Sequence, residues 1–93
     1  MTYGIEVLPQ ARSDLKELDT AVVARIARRI DGLLQHPRAF GTEELAGDLV
    51  GLRKLRLGDY RVIYALDDDR RVVSIWGIGH RRSIYDMMRR RVE

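Results

Sequence analysis

Lys54-Leu55-Arg56-Leu57-Gly58-Asp59-Tyr60-Arg61-Val62-Ile63-Tyr64 is the stretch that decides the fold. Gly58-Asp59, with glycine leading, suits a two-residue hairpin loop between short strands at about 52–57 and 60–66. With that loop Leu57 pairs with Tyr60, Leu55 with Val62, and Arg56 sits directly opposite Arg61. Side chains alternate across a strand, so Leu55, Leu57, Tyr60, Val62 and Tyr64 share one face, with Arg53 on the same side. The other face gathers Lys54, Arg56 and Arg61. Like charges directly across a strand pair disfavour it by up to about 1 kcal/mol. Such a trio makes sense where an anion neutralises it, and phosphate is the obvious one. The bland alternative is a solvated face relieved by Asp48 and Asp59. On the open-face reading, Arg61→Ala should cost no burial and leave the fold as stable or more so.

Outward from the hairpin, Asp67-Asp68-Asp69-Arg70 makes a polar turn into a third strand at about 71–78. Upstream, Tyr3, Ile5 and Val7 alternate with Gly4 and Glu6, the period of a half-buried strand. Pro9 fits the first turn of a helix, and Ala11, Leu15 and Leu18 carry its stripe to about residue 18. Asp19 or Thr20 can cap a second helix striped by Val23, Ile26, Ala27, Ile30, Leu33 and Leu34, and Pro37 stops it. Residues 38–51, punctuated by Gly41, Gly47 and Gly51, read as a loop. The segment 82–92 reads as a last helix, basic and sparsely anchored by Ile84, Tyr85, Met87 and Met88. The expected architecture is one small α+β domain over 1–93, β-α-α-β-β-β with a C-terminal helix. A helix hairpin packs on one face of a mostly antiparallel sheet.

Composition narrows the function. A chain of 93 residues is one domain with a marginal core, for which a stabilising partner is expected. Cysteine is absent, which removes disulfides and thiolate metal sites and fits a cytoplasmic protein. No apolar run approaches the roughly 20 residues of a membrane span, and no signal peptide is read at the start. The net charge of +3 hides an asymmetry: residues 1–49 carry six basic and eight acidic side chains, residues 50–93 eleven and six. Fifteen of the seventeen cations are arginine, suited to bidentate phosphate contact and to stacking on bases. That pattern points to a polyanion on one face, although a genome that writes Arg for Lys gives the same composition.

Beyond the hairpin, Gly79-His80-Arg81-Arg82-Ser83-Ile84-Tyr85 leaves the third strand beside Arg61, so His80, Arg81 and Tyr85 are expected to converge on the basic patch. There is no phosphate-binding glycine loop, nucleophile elbow, dinucleotide fingerprint or EF-hand spacing, hence no metal or small-molecule cofactor is expected. Metal-free RNA cleavage fits this set: the 2′-hydroxyl attacks its own 3′-phosphate. The protein need supply only a base, charge for the phosphorane and an acid for the departing 5′-oxygen. An amine among cations gives up its proton more readily than a free one, arginine stabilises the phosphorane, and tyrosine stacks on a base.

Lys54-Leu55-Arg56, Gly58 through Tyr64, Gly79-His80-Arg81 and Ile84-Tyr85 together resemble the RelE toxins, within the RelE/ParE superfamily of toxin–antitoxin systems. The resemblance covers nearly the whole chain. It implies a small toxin that enters the ribosomal A site, cleaves the mRNA there, and is held inactive by a cognate acidic antitoxin. By position, Lys54 matches the family's base, Arg61 its phosphate-stabilising arginine, Arg81 the arginine assigned to leaving-group protonation and Tyr85 the stacking tyrosine. Arg56 matches an RNA contact, and Arg53 and Arg82 flank the set as further RNA contacts. Leu52 stands where the best-known members carry another lysine, and Tyr85 follows Arg81 more closely than in them. His80 replaces a lysine, and an imidazole can itself shuttle protons, leaving Lys54 and His80 as alternative bases. The antitoxin is expected to cover the basic face or displace the 82–92 tail. The alternative within the superfamily is a ParE-like toxin that binds DNA gyrase and cuts nothing.

Overall fold

The hairpin forms in the expected register. In the computed structural model, which describes residues 2–39 and 41–93, β3 (Arg53–Leu57) and β4 (Tyr60–Asp67) pair Leu57 with Tyr60, Arg56 with Arg61 and Leu55 with Val62. Gly58 takes a positive φ of 57°, the conformation for which a leading glycine is suited. β4 continues through a turn into β5 (Val72–His80), and β1 (Gly4–Val7) lies parallel to β5 at the sheet edge. The order is β1-β5-β4-β3-β2, where β2 (Thr42–Glu44) is a short antiparallel neighbour of β3. Residues 38–51, expected as loop, thus supply a strand and a 3₁₀ turn (Gly47–Leu49). Thr-Glu-Glu has no apolar alternation, so only pairing with β3 marks it as a strand.

The helices α1 (Pro9–Lys16) and α2 (Thr20–Gln35) lie on one face, as their stripes require. Ile26, Ile30 and Leu33 of α2 join Leu55, Leu57, Val62, Tyr64, Val73, Ile75 and Ile78 in the main core. Tyr64 anchors the end of α2: its hydroxyl donates to the Pro37 carbonyl at 2.7 Å and accepts from Arg53 Nε at 3.2 Å. Tyr3, just before β1, and Val7 pack against this core, whereas Ile5 stays 44% exposed on the edge strand.

The last helix, α3 (Ile84–Val92), crosses the opposite face of the sheet. It is anchored more firmly than its sparse apolar content suggests, because Ile84 and Met88 are fully buried among Leu49, Leu52 and Ile63. Leu52 is an anchor for this cluster. Gly77 and Gly79 make the close approach possible, since a Cβ on Gly77 would lie 2.5 Å from Met88 Sδ and one on Gly79 3.3 Å from Ile84 Cδ1. A bulge leaves Trp76 unpaired between the Gly77–Ile63 and Ile75–Tyr64 pairs.

β1 is too short to cover all of β5, and side chains finish the edge. The Ile78 amide donates to Asp14 Oδ2 at 2.9 Å, and the Trp76 carbonyl accepts from Arg91 Nη1 at 3.3 Å. Asp14 and Arg91 clasp each other with two bonds of 2.7 and 2.8 Å, which raises the Arg91 guanidinium's pKa. One ion pair thereby satisfies two edge groups and ties α3 to α1.

Candidate nucleic-acid interface

β3 and α3 bring Lys54 and Tyr85 together. Lys54 Nζ lies 5.8 Å from the centre of the Tyr85 ring, within cation–π range, and 3.6 Å from Glu43 Oε2. The register explains both contacts: Glu43 pairs with Lys54 across β2 and β3, while α3 lays Tyr85 over the same face. Glu43 was invisible in the sequence because the strand that carries it was. Of the two aspartates offered as relief on the alternative reading, Asp48 pairs with Arg89 of α3 at 3.4 Å and Asp59 lies 3.7 Å from Arg81.

Arg61 departs from the open-face expectation. It is only 9% exposed, because its Nη1 turns along the hairpin and donates to the carbonyls of Gly58 and Tyr60 at 2.8 and 2.7 Å. Its Nε and Nη2 have no protein partner among the described residues, and no unpartnered side-chain nitrogen there is buried. Both therefore reach solvent. The carbonyls fix one arm of the guanidinium and leave Nε and Nη2 without a protein partner, so they are available to an anion. Arg56, directly opposite, is exposed.

Arg81 extends the β4–β5 ladder by one step, its amide donating to the Asp59 carbonyl at 2.8 Å. Its Nε lies 3.7 Å from Asp59 Oδ1, so it leans over the hairpin tip on the face of Gly79 and Arg61. His80 does not join them. It pairs with Tyr60, and the two rings meet edge to face at 6.0 Å, on the side of α1 and α2. Its Nδ1 accepts the Arg82 amide at 3.2 Å, which leaves Nε2 as the nitrogen carrying a proton in the neutral ring. β5 runs to His80 rather than stopping at 78, so strand alternation turns the imidazole away from its neighbour Arg81. Arg82 is exposed at the turn into α3. Arg53 lies on the core side, bonded to Tyr64 and Thr42 and 3.6 Å from Glu44. The face under α3 therefore collects Lys54, Arg56, Arg61, Arg81 and Tyr85, and not His80 or Arg53. Among the described residues no three His, Asp or Glu side chains come together.

A helix hairpin packs on one face of this sheet, and a cationic patch lies beside a third helix on the other. The profile of a family described as ParE toxin of type II toxin-antitoxin system, parDE, matches residues 5–85. Toxin RelE of Mycobacterium tuberculosis is 37% identical over 86 residues, covering 91% of this chain and 88% of that protein. In the toxin–antitoxin complex RelBE2 from the same organism, a chain 28% identical superimposes with a TM-score of 0.81, covering 87% of this chain and 100% of that one. The archaeal RelE–RelB complex from Pyrococcus horikoshii OT3 gives 32% identity and a TM-score of 0.73 over 87% and 97% of the two chains. The chain belongs to the RelE toxins of the RelE/ParE superfamily of type II toxin–antitoxin systems. No helix among its described residues is long and apolar enough to cross a membrane.

Proposed function

We propose that this toxin cleaves mRNA in the ribosomal A site by attack of the 2′-hydroxyl on the adjacent phosphate, without a metal ion. The observation that carries the reading is Lys54 held between the Tyr85 ring and Glu43, on the face where Arg61 keeps Nε and Nη2 without a partner among the described residues. In this reading Tyr85 stacks on a base, Lys54 takes the 2′-proton after passing its own to the adjacent Glu43 carboxylate, Arg61 stabilises the phosphorane and Arg81 gives a proton to the departing 5′-oxygen. Arg56 and Arg82 hold flanking phosphates. Turned against Tyr60, His80 is the weaker candidate for base, while Glu43 adds a second proton acceptor beside Lys54. The acid–base set lacks a tightly paired imidazole and carboxylate, so free protein should cleave naked RNA poorly. The ribosome supplies the in-line geometry, and orientation can contribute several orders of magnitude. A cognate acidic antitoxin neutralises the toxin, as the RelB-bound relatives suggest.

The gyrase-binding alternative follows the name of the matching profile, but gives the cationic face no task. In vitro translation read by primer extension, beside a gyrase supercoiling assay, separates the two. Cleaved message with unaffected supercoiling is expected, surviving EDTA added to preformed complexes and quenched quickly. Lys54→Ala should slow single-turnover cleavage more than His80→Ala. Arrested supercoiling with intact message would overturn the nuclease reading, and a larger loss for His80→Ala would move the base to the imidazole.

A further inference from the structure

An open cleft of about 690 Å³ lies where β3 runs past the end of β2, lined by Arg29, Gly41, Thr42, Glu43, Arg56 and Gly58. It joins the α3 face, through Arg56, to the exposed side of α2. Arg25 and Arg29 project into this region: a Cβ on Gly58 would lie 3.6 Å from Arg25 Nη2, and one on Gly41 3.3 Å from Arg29 Nη2. These two are one helical turn apart and both exposed, and like charges at that spacing disfavour a helix. Among the described residues neither they nor Arg56 has an ion-pair partner, although Glu43 lines the same cleft.

We infer that Arg56, Arg29 and Arg25 form a phosphate-backbone track that carries an RNA strand from the cutting face around the open edge of β3 onto α2. The inference rests on the RNA-cleaving reading for what lies at one end of the track, and adds two residues outside the reacting set. Guanidinium groups spaced along a polar cleft suit successive phosphates. A protein partner would be expected to find large apolar side chains as anchors, and none stands among the described residues that line this cleft. The phosphodiester belongs either to the message beyond the cut or to ribosomal RNA around it; the chemistry is shared.

The test is the salt dependence of binding for the Arg25→Gln/Arg29→Gln double variant. Two probes are used: a single-stranded RNA whose 2′-methoxy groups block the internal nucleophile, and 70S ribosomes with an empty A site. Each lost contact to a single strand should lower the log–log salt slope by about 0.7. A fall confined to the RNA oligonucleotide assigns the track to the message, and a fall confined to ribosomes assigns it to ribosomal RNA. The Arg25→Lys/Arg29→Lys pair should restore most of the slope, and Arg12→Gln on exposed α1 should leave it unchanged. Slopes that do not move on either probe overturn the track, as does an equal fall for Arg12→Gln, which would be net charge alone. Loss of antitoxin affinity with intact RNA binding would make the cleft a protein groove instead. Neither probe requires cleavage, so a fall in slope from a protein that never cuts message refutes the nuclease reading and leaves the track standing.

Discussion

The two faces of the sheet take alternate residues from the same strands and are filled differently. Under α1 and α2, Val62, Tyr64, Val73, Ile75 and Ile78 meet three aliphatic residues of α2 in one continuous core. Under α3 the buried cluster is five residues among the described ones, edged by partly buried Ala65 and Trp76, and Lys54, Arg56, Arg61 and Arg81 share the face. A face given to exposed cations cannot also be closed with aliphatic side chains. Apolar burial is therefore concentrated on one side, while α3 is held by Ile84 and Met88, by partly buried Tyr85 and Met87, and by the Asp14–Arg91 and Asp48–Arg89 pairs.

The contrast can be broken most forcefully from the hairpin side. Ile75→Ala, at a fully buried position, should cost about 2–5 kcal/mol and lower the melting temperature of the whole domain. If the protein melts unchanged, the main core is not where stability lies. Gly77→Ala should act on the other face alone, because the new methyl meets Met88 and Arg91; overpacking costs about 1–3 kcal/mol. Hydrogen exchange should then quicken in α3 while β4 remains protected, and uniform loss of protection would mean that the faces are one cooperative unit. Arg61→Ala sharpens the comparison at the site. It removes the donor to two carbonyls in the hairpin, so it should destabilise by about 1–3 kcal/mol as well as abolish cleavage. Circular dichroism melts paired with primer extension check both halves.

The smallest effect belongs to neither face. Hydrogen bonds from Arg38 and then Tyr3 lower the Asp68 carboxyl from 3.8 to about 2. A depressed value stabilises the fold above the unfolded carboxyl's range, and this contribution fades as pH falls from about 4 to 2. Asp68→Asn should therefore be slightly less stable than the parent at neutral pH, and the two should converge in acid titrations near pH 2. The effect is small because both Arg38 and Asp68 are more than half exposed.

Local rules reach as far as local causes. Gly58-Asp59 with flanking alternation was enough to set the hairpin register, and the α2 stripe and Pro37 were enough to bound that helix. Thr42-Glu43-Glu44 carries no such pattern, so β2 was unreadable and with it the carboxylate beside Lys54. His80 was misplaced because adjacency to Arg81 was weighed above the alternation of a strand whose end was set two residues short. The exposure expected for Arg61 failed for a different reason: its guanidinium found acceptors in its own turn, which no spacing encodes. Counting charge by halves likewise passed over Arg25 and Arg29, which sit in the net-acidic half yet face Gly58 and Gly41.

The parallel pairing of β1 with β5 has a consequence for the order in which the chain folds. Gly4 to Val7 find their partners at Val72 to Ile75, whereas β3, β4 and β5 follow one another through short turns. The meander can assemble by local search, but the first strand must wait for it, since long-range closure is slow. A nascent chain with β5 still inside the ribosomal tunnel has exposed helices and no sheet edge on which to seat its own beginning. β1 is thus among the last elements to become native, and while it waits the unfinished domain is open to chaperones and proteases.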